Sequence, residues 1–108
     1  MEKALAKFHG NYQHLNGGQA DMGVRTLTGA PYDEIKHIYG EAAPDSLFAT
    51  ILAGHEKDSI MQASTPPHVA GHNAVTGDGI HFGHQYSLLS AHKLSDGTKL
   101  VRLRNPWG

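Results

Sequence analysis

The last third of the chain holds two extended, apolar-rich runs, Gly83 to Leu94 and Thr98 to Asn105, separated only by Ser95-Asp96-Gly97. Runs so close together leave no room for a crossover helix, so they pair antiparallel, and Asp-Gly accepts the positive φ angles of a tight hairpin turn. With Asp96 and Gly97 as a two-residue loop, Ser95 faces Thr98 and Asn105 falls opposite Leu88, on the same face as Tyr86 and His84. His84 then lies about 13 Å further along an ideal strand. A bulge, a longer turn or strong curvature is needed to bring the two side chains together.

The first half has a helical pattern. Glu2 to His9 places Ala4, Leu5 and Phe8 on one stripe and stops at Gly10-Asn11, and Gly17 to Gly29 places Ala20, Val24 and Leu27 on another, with Gly29 as terminator. Pro31 to Tyr39 reads as a short helical turn carrying Ile35, Ile38 and Tyr39. Pro44-Asp45-Ser46 supplies capping residues for a helix through Leu47, Phe48, Ile51 and Leu52 that stops at Gly54. Ser59 to Ala63 is a short strand closed by Pro66-Pro67, and His68 to Gly79 is a loop. Helices followed by strands give an α+β domain with an antiparallel sheet. Tyr12, Tyr32, Tyr39 and Phe48 are expected in its core, and Arg102 and Arg104 on the solvent face of a strand that buries Val101 and Leu103.

With 108 residues, the chain is one domain or part of one. Leu, Ile, Val and Phe together number 22, so its core is thin. A formal charge of −1 lacks the basic excess of a nucleic-acid binder. No apolar run approaches the roughly 18 residues of a membrane span, and the N-terminus has no signal-like stretch, so an intracellular soluble protein is the default, which allows a cytoplasmic placement. The absence of cysteine removes disulfides, thiolate zinc sites and any thiol nucleophile from these residues.

Histidine is the outlier, with nine residues. His68-x3-His72 and His81-x2-His84 raise the prospect of a zinc or nickel site, since neutral imidazole is the commonest ligand for such ions. Pro67, Gly71 and Gly79 argue against the helical spacing that would align them, and a solvated, His-rich loop is the preferred expectation. Asp78 and Asp96 sit in Gly-containing turns, but two isolated carboxylates do not make a calcium site.

Several blocks match, in order, the pattern of one known protein family. Glu2-Lys3-Ala4-Leu5-Ala6-Lys7 with the exit Gly10-Asn11-Tyr12 is similar to the family's Glu-Lys-Ala-Tyr-Ala-Lys helix and its Gly-Ser-Tyr. Gly17-Gly18 and Leu27-Thr28-Gly29 resemble the next helix and its end. Gly83-His84-Gln85-Tyr86-Ser87 resembles Gly-His-Ala-Tyr-Ser, and Arg104-Asn105-Pro106-Trp107-Gly108 matches Arg-Asn-Pro-Trp-Gly. Leu5, Ala30 and Gln85 depart from the pattern without removing a reactive group.

Together these blocks resemble the second half of the papain-like catalytic core of calpains. The resemblance implies that residues 1–108 are a partial calpain-like catalytic domain, the right-hand subdomain of a papain-like cysteine protease. His84 would be general base and acid and Asn105 its orienting partner, as in the Cys-His-Asn form of the catalytic triad. Gly83 and Trp107 would bind substrate, Gly83 by letting a peptide backbone approach and Trp107 as a wall of the cleft that also shields the His-Asn bond. The nucleophilic cysteine belongs to the family's preceding subdomain, so the implied partners are that Cys-bearing part of the same parent chain and protein or peptide substrates. The fragment alone would be inactive. The resemblance also implies Ca2+ for the complete protease, with family ligands largely beyond the Trp-Gly motif and none firmly assigned within this chain. The alternative is a catalytically inactive calpain-like regulatory or interaction module.

Overall fold

The computed structural model describes residues 1–38, 40–68 and 74–107. The fold is α+β. Helices α1 (Glu2–Phe8), α2 (Ala20–Thr28) and α3 (Asp45–Glu56) precede an antiparallel sheet of β1 (Met61–Ser64), β2 (Gln85–Lys93) and β3 (Lys99–Arg104), in the order β1-β2-β3. The chain divides into two compact units, Met1–Glu34 and Ile35–Gly108.

In the first unit, α1 has Glu2 in its first turn and Lys7 in its last, matching the helix dipole at both ends. A 3-10 turn, Tyr12–Leu15, follows, capped by Asn11, whose Oδ1 accepts the His14 N–H at 3.0 Å. Helix α2 ends on Gly29 at φ +68°, a left-handed cap that donates its N–H to Arg25 O at 2.8 Å. Ala6, not the expected stripe of Ala4, Leu5 and Phe8, is the buried residue of α1, and Phe8 is 75% exposed. Tyr12 and Tyr32 are also outside any core, at 57% and 48% exposure. Tyr32 instead lies under the Arg25 guanidinium, 5.2 Å from its ring centre, an arrangement that suits a surface ring.

Residues 31–38 are irregular rather than helical, and Tyr39 lies outside the described residues. A segment this short gains too few backbone bonds to offset the cost of nucleating a helix. Helix α3 starts as expected but has no side-chain cap; Asp45 pairs instead with Lys99 of β3. The Lys99 ammonium, by hydrogen bond and by charge, lowers the Asp45 carboxyl below its ordinary value. Nor does α3 stop at Gly54. A Cβ there would come 2.7 Å from Met61 Sδ, so the glycine lets α3 lie against β1 instead of ending the helix.

Strand β1 pairs with β2 through Met61↔Leu88 to Ser64↔Gln85. The β2–β3 hairpin has a three-residue loop rather than the expected two. Leu94 donates to Thr98 O at 2.8 Å, Gly97 takes φ +88°, and Asp96 Oδ1 accepts the Thr98 N–H at 2.8 Å. Lys93 therefore faces Lys99, and a bulge between Leu88 and Ser90 shifts the ladder once more, to Leu88↔Leu103 and Ser87↔Arg104. The bulge also explains why Tyr86, Leu88 and Ala91 are all buried despite the odd spacing of the last two. All of β3 is exposed, so Val101 and Leu103 are not on the buried face expected for them. Burial is as thin as the composition implies: among the described residues the first unit buries Ala6, and the second buries Tyr86, Leu88 and Ala91. Among the described residues, no helix is long and apolar enough to cross a membrane.

Candidate active site

The two register shifts act in the same direction. Continuing from Ser87↔Arg104, the next position on β3 brings Asn105 level with Tyr86, two residues from His84, about half the separation that a two-residue loop gives. The side chains span the rest. His84 Nε2 lies 2.8 Å from Asn105 Oδ1.

That oxygen also accepts the backbone N–H of Trp107 at 3.0 Å. A peptide N–H can only donate, so the amide atom facing it is the oxygen, and the nitrogen of His84 that shares the oxygen must bring a proton of its own. The neutral imidazole is therefore the Nε2–H tautomer, with its lone pair on Nδ1. Asn105 achieves this without placing a charge beside the ring.

The imidazole is enclosed by aromatic groups. The Trp107 indole lies over it with centroids 4.3 Å apart and a 50° tilt, and the Tyr86 ring meets it edge-on at 4.8 Å. Trp107 is 62% exposed, so the indole that lies against the imidazole also presents surface to solvent. His81 packs against the same indole at 4.7 Å. Gly83, at φ +58°, makes the turn into His84 and donates to Pro66 O at 2.8 Å. A side chain is disfavoured at that φ, and the position is exposed immediately beside the imidazole.

The four residues singled out from sequence, Gly83, His84, Asn105 and Trp107, thus form one contiguous surface. The histidine-metal expectation fares differently. His81 and His84 have ring centres 5.7 Å apart, His68 packs on Phe82 at 4.7 Å, and His72 lies outside the described residues. Among the described residues there is no group of three or more His, Asp or Glu able to hold a metal ion. Asp96 is committed to the hairpin turn, where the Thr98 N–H lowers its carboxyl below the ordinary value. The described side chains therefore do not fit a calcium site. Sequence reasoning missed Thr65, whose hydroxyl touches the backbone on both sides of the turn before His84. A threonine ahead of Pro66-Pro67 has no pattern to distinguish it.

A sequence profile described as "Calpain family cysteine protease" matches residues 1–108. The chain is 35% identical over 111 residues to the calpain-type cysteine protease ADL1 of Oryza sativa subsp. japonica, covering 99% of this chain and 5% of that protein. It is 37% identical over 114 residues to the calpain-2 catalytic subunit of Mus musculus, covering 100% of this chain and 16% of the relative. Calpain-B of Drosophila melanogaster is 32% identical over 117 residues, covering 100% and 12% respectively. The chain thus spans a small part of the length of the relatives it matches.

Proposed function

Because this chain belongs to the calpain family of cysteine proteases, we propose that it is the part of the catalytic domain that supplies the histidine and asparagine of a Cys-His-Asn centre for limited proteolysis of proteins. The observation that carries this reading is the 2.8 Å His84 Nε2–Asn105 Oδ1 bond, whose acceptor is fixed by the Trp107 N–H.

In this reading His84 Nδ1 takes the proton of a cysteine thiol contributed by a segment outside this sequence, leaving a thiolate and an imidazolium. The thiolate attacks the scissile carbonyl carbon, and the C–N bond breaks as Nδ1–H protonates the departing amine. Water then adds to the thioester, giving a proton to Nδ1 as it attacks, and the thiol is restored. Asn105 holds Nε2–H throughout, so Nδ1 keeps its aim while the charge of the ring changes. Gly83 leaves space for the substrate backbone, and Trp107 excludes water from the His84–Asn105 bond and walls the cleft. The chain by itself is inactive, since it has no cysteine. Calcium dependence and a cytoplasmic setting are proposed for the complete protease only, with no calcium ligand assigned among the residues here.

The test uses the complete parent polypeptide and a fluorogenic peptide. His84→Ala lowers hydrolysis by about 10²- to 10⁴-fold with an unchanged melting temperature, and a thiol-directed peptidyl epoxide labels one upstream cysteine. Full turnover in His84→Ala, or Ser, Gly or Asp at the nucleophile position, would overturn the protease reading in favour of a regulatory or interaction module.

A further inference from the structure

His81-Phe82-Gly83-His84 is a four-residue turn, the arrangement in which the N–H of the last residue usually bonds the carbonyl of the first. Here that direct bond is replaced by a bridge. His84 donates its N–H to Thr65 Oγ1 at 3.0 Å, and the same hydroxyl, with its single proton, donates to His81 O at 2.7 Å. The His84 carbonyl lies further from it, at 3.2 Å, and already accepts the Thr65 N–H at 3.0 Å. The hydroxyl thus keeps the two ends of the turn apart.

The other backbone N–H groups of the turn are held as well, that of Phe82 by Ala74 O at 2.9 Å. The His81 N–H donates to Tyr86 Oη at 2.9 Å, and the Gly83 N–H donates to Pro66 O at 2.8 Å. Thr65 itself extends the β1–β2 ladder by one residue past Ser64↔Gln85, so its Cα is held by the sheet and its hydroxyl has little freedom to withdraw. Both turn ends are half-buried, where a polar backbone group without a partner is costly.

We infer that Thr65 is the positioning residue of His84: its hydroxyl, wedged between the His81 carbonyl and the His84 N–H, sets where the His84 Cα sits and hence where the imidazole meets Asn105 and the incoming thiol. This inference rests on the protease reading of His84. Without the hydroxyl, the two backbone groups must either close on each other or go unpaired. Closure draws His84 toward His81 and away from Asn105, and a displacement of about 1 Å at a reacting group costs on the order of 10²-fold in rate.

The experiment compares Thr65→Val, Thr65→Ser and His84→Ala in the complete parent protein. Thr65→Val keeps the shape and removes the hydroxyl. It is expected to lower kcat by about 10²-fold with KM changed by less than about twofold, whereas Thr65→Ser returns kcat to within about threefold of the original. The proton resonance of His84 Nε2–H, held in the Asn105 bond, is expected in the original protein and in Thr65→Ser and lost in Thr65→Val. If Thr65→Val does not fold, Thr65→Ala is measured in its place, with the same expected loss. A folded variant lacking the hydroxyl that keeps the original kcat, or a serine variant that fails to restore it, overturns the role of Thr65. Full activity in His84→Ala instead overturns the protease reading beneath it.

Discussion

The unit Met1–Glu34 and the unit Ile35–Gly108 satisfy their polar groups over very different distances along the chain. In the first, side-chain hydrogen bonds among the described residues span two to five residues: Ala30 to Thr28, Asn11 to His14, Thr26 to Met22, Thr28 to Val24 and His14 to His9. The second has short bonds of the same kind and adds long ones: Thr65 reaches His84 across 19 residues, His84 reaches Asn105 across 21, and Lys99 reaches Asp45 across 54. Short-range bonds specify helices and caps but bring no distant groups together. The candidate site therefore lies in the unit whose long loops must be closed, at an entropic cost that the sheet and its few buried residues offset.

The comparison breaks if a long-range tie can be cut without consequence for the site. Asn105→Ala is expected to have the largest effect, about a 10²-fold fall in peptide hydrolysis by the complete protein with little change in melting temperature. Solvent can replace the lost acceptor for the exposed Trp107 N–H, and an unaffected rate would remove the orienting role. Next comes Gly54→Ala, where intrusion on Met61 outweighs the gain in helix propensity and destabilises by about 1–2 kcal/mol in chemical denaturation. In a Met61→Ala background the same change should stabilise; the same sign in both would show that the α3–β1 approach does not depend on the glycine. A smaller effect is expected in the local unit. Gly29→Ala must place a side chain at φ +68° and should cost about 1 kcal/mol, read as faster amide exchange across α2.

The smallest effect is on acid stability. Asp45 and Asp96 both have folded-state values lowered from 3.8, by Lys99 and by the Thr98 N–H respectively. Their contribution is present above the unfolded value and lost as pH falls through the folded one. The double variant Asp45→Asn, Asp96→Asn should therefore show a shallower loss of melting temperature below about pH 4 than the original chain. An identical acid limb would mean that neither contact matters to the sheet.

Much of this arrangement was readable from the residues. The two motifs ending in Ser87 and Gly108 pointed to His84 and Asn105, and Gly29 marked the end of α2 because little else adopts its φ. What escaped depends on partners distant in the chain. Gly54 looks like a helix stop until Met61 is seen beside it, and Thr65 is anonymous until the turn before His84 closes around it. The loop length turned on the Asp96 carboxylate capping Thr98, and the bulge is hidden because Leu88 and Leu89 are alike in character while only Leu88 is buried. Tyr12 and Tyr32 show the opposite error, since helical spacing marks a face without stating that anything covers it.

Trp107 is the sole tryptophan of the chain, and its indole touches both His81 and His84. Imidazole neighbours alter indole emission, so the fluorescence of this protein carries an intrinsic optical record of how the two rings are held against it. Comparing that signal with and without His81→Phe would separate their contributions, with no label attached near His84.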